Sequence, residues 1–220
     1  MIEMRLLIIN PNSSQSITAS IKKEAEKFVS DMLKIDVITS EHAPAAIETG
    51  ADEVIAGYYV LEELKKKENQ YDGMIIACAS DPGLEAAREI LSVPVVGIFE
   101  AAAHVCNILG NRFCVISSCD EKEIPCFERL VDNYGYRNRF TGVKPLRLGV
   151  LGVKDADISC IESKINEAKH QEGVDAVVLG CAAFSGMGAK LTENCGVYVS
   201  DGIAESILLV KSLIELKLRR

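Results

Sequence analysis

The chain has 220 residues, 48% of them apolar, and carries 24 Lys and Arg against 32 Asp and Glu for a net charge of −8. That length supports one large domain or two small ones with a proper core. The acidic balance, with basic runs no longer than Lys65-Lys66-Lys67 and the Lys217-Leu218-Arg219-Arg220 tail, argues against a nucleic-acid or anionic-membrane partner.

In chain order, apolar runs predict strands over Arg5 to Ile9, Ile35 to Thr39, Gly73 to Cys78, Val95 to Ile98, Phe113 to Ser117, Leu146 to Leu151, Ala176 to Cys181 and Val197 to Ser200. Amphipathic stretches between them, Ser14 to Val29, Asp52 to Lys67, Ile158 to Lys169 and Gly202 to Leu218, predict helices. Strands that are apolar throughout rather than alternating belong to parallel sheets covered on both faces. No run of roughly eighteen apolar residues is present, so neither a membrane span nor a signal peptide is expected. Eight cysteines in such a chain read as reduced thiols in the cytoplasm.

Two of those cysteines end similar segments. Tyr71 to Ala79 and Val174 to Ala182 each run an apolar strand into a thiol, Cys78 and Cys181, at a separation of 181 − 78 = 103 residues. The same offset carries Val95-Val96 onto Tyr198-Val199. The expectation is an α/β fold of two pseudo-symmetric lobes, each a parallel sheet flanked by helices, with the site in the cleft between them. The first lobe is read as residues 1–98 plus the C-terminal helix 202–220, the second as 99–201.

After Cys78, Asp81 suits a helix N-cap and Pro82 the first helical position, so a helix N-terminus is expected to face the thiol and favour its anion. After Cys181 the small residues Ala182, Ala183 and Gly186 leave room for a ligand or for tight packing. Asn10-Pro11-Asn12-Ser13-Ser14 ends the first strand, with Ser117-Ser118-Cys119-Asp120 as its counterpart; both offer polar donors and a helix cap. The other six cysteines read as packing residues, and Cys114 with Cys119 lacks a partner pair to complete a zinc site. His42, His104 and His170 adjoin neither strand-end thiol, and no phosphate-binding glycine loop is present. Neither a metal nor any other cofactor is therefore expected.

Two thiols across one carbon can invert it: a thiolate removes a proton from one face and a thiol returns one from the other. Free cysteine titrates near about 8.5, and neighbouring anions repel, so the pair holds its protons as a unit. The carbanion must lean on the substrate's own carbonyl and on donors aimed at the enolate oxygen.

Five segments carry a family likeness: Ile9-Asn10-Pro11-Asn12-Ser13, Pro44-Ala45-Ala46-Ile47-Glu48, Cys78-Ala79-Ser80-Asp81-Pro82-Gly83-Leu84, Pro94 to Ala102, and Leu179-Gly180-Cys181-Ala182-Ala183. In that order the chain resembles the hydantoin and allantoin racemases of the aspartate/glutamate/hydantoin racemase superfamily. The resemblance implies cofactor-independent racemisation of 5-substituted hydantoins, small cyclic ureides, by Cys78 and Cys181, in a homo-oligomer. It also implies a pocket bordered by Asn10, Asn12, Ile47, Ala79, Ser80, Asp81, Ser118, Ala182 and Ala183. Amino-acid racemases of the superfamily carry an Asp-Ser pair after the first strand, Cys-Asn-Thr at the first thiol and Cys-Thr-His at the second. Here Asn10-Pro11, Cys78-Ala79-Ser80 and Cys181-Ala182-Ala183 stand instead, favouring a neutral ring over an amino acid. Ala79-Ser80 and Ala183-Phe184 also depart from many hydantoin racemases, which bears on the 5-substituent. The competing readings are an aspartate or glutamate racemase or maleate-type isomerase, and a non-catalytic ligand-binding or thiol-redox protein.

Overall fold

The computed structural model describes residues 3–218; Arg219 and Arg220 of the basic run and of the expected last helix lie outside them. Two four-stranded parallel sheets form the molecule. In the first, β1 (Met4–Asn10), β2 (Leu33–Thr39), β3 (Gly73–Ile76) and β4 (Val95–Gly97) lie in the order β2-β1-β3-β4. The second repeats that order as β6-β5-β7-β8, from β5 (Phe113–Ser117), β6 (Phe140–Pro145), β7 (Ala176–Leu179) and β8 (Tyr198–Ser200). The expected two-lobed α/β architecture is therefore present.

The repeat extends to register. Leu6 to Ile9 pair with Gly73 to Ile76, and Phe113 to Ile116 pair with Ala176 to Leu179. The offset of 103 thus superimposes β3 on β7 residue for residue.

Central strands are buried on both faces, as their unbroken apolar runs require. Leu7, Ile9, Met74 and Ile76 meet Val60 and Leu64 of α2 (Gly50–Lys67) and Leu84 and Ala87 of α3 (Leu84–Ile90). Leu6, Ile8 and Ile75 face the opposite way, into a core shared with the second lobe. Ile17 and Ile21 of α1 (Gln15–Ala25) and Ile203, Ile207 and Val210 of α8 (Ile203–Leu218) fill it. The second sheet is covered likewise by α4 (Ile98–Leu109) and α5 (Ile124–Asn133) on one face and α6 (Ile158–Glu172) and α7 (Gly188–Cys195) on the other. The helices that leave the two edge strands cross over: α4 packs on β7 and β8, and α8 on β3 and β4. Among the described residues no helix is long and apolar enough to cross a membrane.

Three local expectations are corrected. Leu146 to Leu151 is not a strand; the strand is β6, ending at Pro145. Arg147 (φ 56°) and Gly149 (φ 68°) turn the chain, and the Leu148 and Gly149 amides both donate to the Ser118 carbonyl, leaving none for a ladder. The strands before the thiols also stop early, at Ile76 and Leu179.

The third concerns Asp81. It does not cap the helix that follows it: α3 begins at Leu84 with Gly83 as its N-cap, and Asp81 sits in the left-handed region at φ 45°. Its carboxylate instead accepts from the Phe99 and Glu100 amides at 3.2 and 2.9 Å. These are orphan donors of α4, whose own N-cap, Gly97, has no side chain to serve them. A Cβ at Gly97 would land on that carboxyl group. Gly97→Ala is accordingly expected to lower stability by about 2 kcal/mol through overpacking. An unchanged urea midpoint would show that the Asp81 clamp is slack.

Candidate active site

The carboxyl ends of the two sheets face each other across a cavity of about 300 Å³. Cys78 and Cys181 both line it, each two residues past the end of its strand. Their surroundings are matched. Cys78 is backed by the Ser80 amide and hydroxyl, the latter 3.4 Å from its sulfur; Cys181 is backed by the Ala183 amide and the Ser118 hydroxyl. In both, the amide two residues on supports the sulfur.

Burial nevertheless governs both thiols. It pushes Cys78 up to about 12, with the charges of Cys181 and Asp81 adding to the rise and the Ser80 donors opposing it. Cys181 is raised chiefly by burial, and also by the charges of Glu123 and Glu48. The expectation of an anion-favouring helix end beside Cys78 is not met: α3 starts six residues further on, and burial outweighs the donors at the sulfur. Cys78 is half-buried, whereas Cys181 is only 7% exposed.

Of the residues that the family likeness placed around the pocket, Asn12, Ile47, Ala79, Ser80, Ser118, Ala182 and Ala183 line the cavity. Asn10 and Asp81 do not. Asn10 is wholly buried and donates from Nδ2 to Asn12 Oδ1 at 2.9 Å and to Thr18 Oγ1 at 3.0 Å. The Ser14 amide also donates to Asn12 Oδ1, at 2.9 Å, so the Asn12 amide is oriented with its NH₂ end left for the cavity. Asp81 is held by the two α4 amides and by the Tyr134 hydroxyl at 2.8 Å, and faces a separate open groove.

Several wall residues had no signal strong enough to single them out. Glu48, Glu53, Lys122, Glu123 and Arg129 bring charge to the cavity, and Cys119 and Cys126 bring its count of thiols to four. Cys119 was discoverable: Ile9 and Ile116 hold equivalent register positions, which makes Cys119 the counterpart of Asn12. Cys126 lies on α5, a helix absent from the sequence reading, and donates to Glu53 Oε2 at 3.5 Å. Burial of Glu123 pushes its carboxyl up to about 7. Glu48 Oε1 accepts from the Val150 amide at 2.8 Å, joining the loops that follow β2 and β6, and both residues line the cavity. Among the described residues, no group of three or more His, Cys, Asp and Glu side chains is arranged to hold a metal ion.

Two parallel sheets of matched order, with a thiol beyond each central strand and one cavity between them, define a two-lobed α/β protein with a paired-cysteine cleft. The chain belongs to the Asp/Glu/Hydantoin racemase family, whose profile matches residues 6–210. It is 34% identical over 218 residues to a hydantoin racemase of Paenarthrobacter aurescens, covering 97% of this chain and 92% of that one. A hydantoin racemase of Rhizobium meliloti is also 34% identical, over 215 residues, covering 96% and 89%. The solved allantoin racemase from Klebsiella pneumoniae superposes with a TM-score of 0.93 at 30% identity, over 98% of this chain and 89% of that one.

Proposed function

We propose that the protein racemises 5-substituted hydantoins such as allantoin, with Cys78 and Cys181 as the two acid-base groups on opposite faces of C5. The observation that carries this is the pair of thiols, at equivalent positions of a repeated sheet, lining one cavity. One thiolate takes the C5 proton, and the other thiol gives a proton to the opposite face. For the other enantiomer the roles exchange. The enolate oxygen formed meanwhile has a donor available in the Asn12 NH₂. Small side chains at Ala79, Ala182 and Ala183 leave the walls flat enough for a planar ring.

Eight free thiols support a reducing, cytoplasmic setting. A homo-oligomer belongs to the same reading, supported by the exposed apolar face of α2, where Val54 is 74% and Tyr58 60% exposed. The two lobes are taken as residues 1–98 with the last helix, and 99–201.

The test uses one enantiomer of allantoin, or of a 5-alkylhydantoin, in deuterated water, with a protein-free blank for spontaneous racemisation. The inverted product is expected to carry deuterium at C5 from the first turnovers, while unreacted substrate keeps its protium. A thiol holds a single proton and returns it to the face it came from, which is why the two pools differ. Loss of optical activity no faster than the blank across a panel of hydantoins would reject the reading.

A further inference from the structure

The turn that carries Cys78 follows a strand of the first sheet but is fastened to the helices of the second. Cys78 to Asp81 form a tight turn, closed by the Asp81 amide donating to the Cys78 carbonyl at 3.0 Å. Ala79, next to the thiol, is buried among Phe99 and Ala102 of α4 and Phe127 and Val131 of α5, the helices that cover the second sheet. Asp81 ends the turn in the left-handed region, at φ 45°, a conformation that an aspartate keeps where its surroundings over-determine it.

Three donors hold its carboxylate. Two are the Phe99 and Glu100 amides of α4; the third is the hydroxyl of Tyr134, the residue just past α5, at 2.8 Å from Oδ2. Only the third comes from a side chain. It ties the Cys78 turn to the helix that brings Cys126 and Phe127 to the cavity wall. The Tyr134 ring is packed independently of its hydroxyl, with ring centroids of Phe99 and His104 at 6.3 and 6.1 Å. The loop after Cys181 has its own tie, the Gly186 amide donating to Asp201 Oδ2 at 2.7 Å, so the Tyr134 hydroxyl acts on one thiol of the two. We infer that Tyr134 is a positioning residue: through Asp81, its hydroxyl fixes the Cys78 sulfur against the face of the substrate opposite Cys181. This rests on the racemase reading.

Tyr134→Phe removes the hydroxyl and leaves the ring in place. The two hands are equal in energy, so kcat/KM must fall by the same factor for both, expected to be about tenfold or more. The discriminating readout is deuterium in the starting material, recovered after chiral separation from a reaction in deuterated water. With Cys78 set back, a carbanion formed by Cys181 waits long enough for that thiol to exchange with solvent and return deuterium to its own face. The hand that Cys181 deprotonates, which is the hand that Cys78→Ser exchanges, should therefore gain deuterium without inversion in Tyr134→Phe. The other hand should keep its protium, because an undisturbed Cys181 still traps each carbanion at once.

A general loss of stability would lower the active fraction and label neither starting pool. Label in neither hand, in both, or in the other hand alone would overturn the assignment, as would an unchanged kcat/KM. Inversion by the unsubstituted protein would leave the racemase reading standing in each of those cases. No inversion by that protein would remove both.

Discussion

Cys78→Ser and Cys181→Ser are each expected to lose racemisation by about a thousandfold or more, since each removes one of two proton-transfer groups that together make a complete path. The hydroxyl of serine holds its proton far more tightly than a thiol, so it replaces neither the base nor a readily recharged acid. The informative result lies in what survives. The thiol left in each variant still faces one side of C5: with no second acid to trap the carbanion, it can take the proton of one enantiomer, exchange it with solvent, and return deuterium to the same face. Cys78→Ser should therefore exchange one hand of a hydantoin without inverting it, and Cys181→Ser the other. Mass spectrometry of each enantiomer after chiral separation reads this directly. Exchange of the same enantiomer in both variants, or inversion persisting in either, would mean that the thiols do not stand on opposite faces of one carbon. The double variant should exchange neither, which guards against a contaminating activity.

The lobed fold was legible because parallel strands buried on both faces leave a plain mark: Leu6 to Ile9, Gly73 to Ile76 and Ala176 to Leu179 are apolar without alternation. The cysteine pair was legible because duplication preserved its spacing. What the sequence hid was settled over long distances. Asp81 followed by Pro82 satisfies a local capping rule, yet the unserved amides at Phe99 and Glu100 drew the carboxylate away from its own helix. Leu146 to Leu151 has a strand's composition, but the Leu148 and Gly149 amides are committed to the Ser118 carbonyl and the Val150 amide to Glu48. Cys119 and Cys126 have the composition of packing residues, and only the meeting of α5 with the β5 loop and α2 puts them on a cavity wall. Such residues read as core because burial is the ordinary fate of cysteine. The charged groups Glu48, Glu53 and Glu123 were equally silent, since carboxylates on loops and helix starts are usually solvated caps.

The burial that conceals these groups also sets the pH dependence. With Cys78 pushed up to about 12 and Cys181 raised as well, both thiols of the empty cleft are protonated at neutral pH. The thiolate that begins catalysis is then a scarce form whose population grows about tenfold with each pH unit. The active form is the deprotonated one, so the sign is fixed: kcat/KM should climb with a slope near one from pH 6 to pH 9, about a thousandfold over that window. A thiolate of raised pKa is a stronger base towards a weak carbon acid, and this recovers in reactivity part of what is lost in population. The climb must end where the second thiol also ionises, because a pair without a proton has nothing to return to the carbanion. Initial rates by circular dichroism, corrected for the protein-free reaction, give the profile. A 3-methylhydantoin substrate keeps ionisation of the ring's own imide out of it. A flat profile between pH 6 and 9 would mean that one thiol is already ionised in the free enzyme, against the burial seen at both sulfurs. Ser80→Ala, which removes the hydroxyl 3.4 Å from Cys78, should shift the whole climb to higher pH, since that donor is among those holding the thiol down.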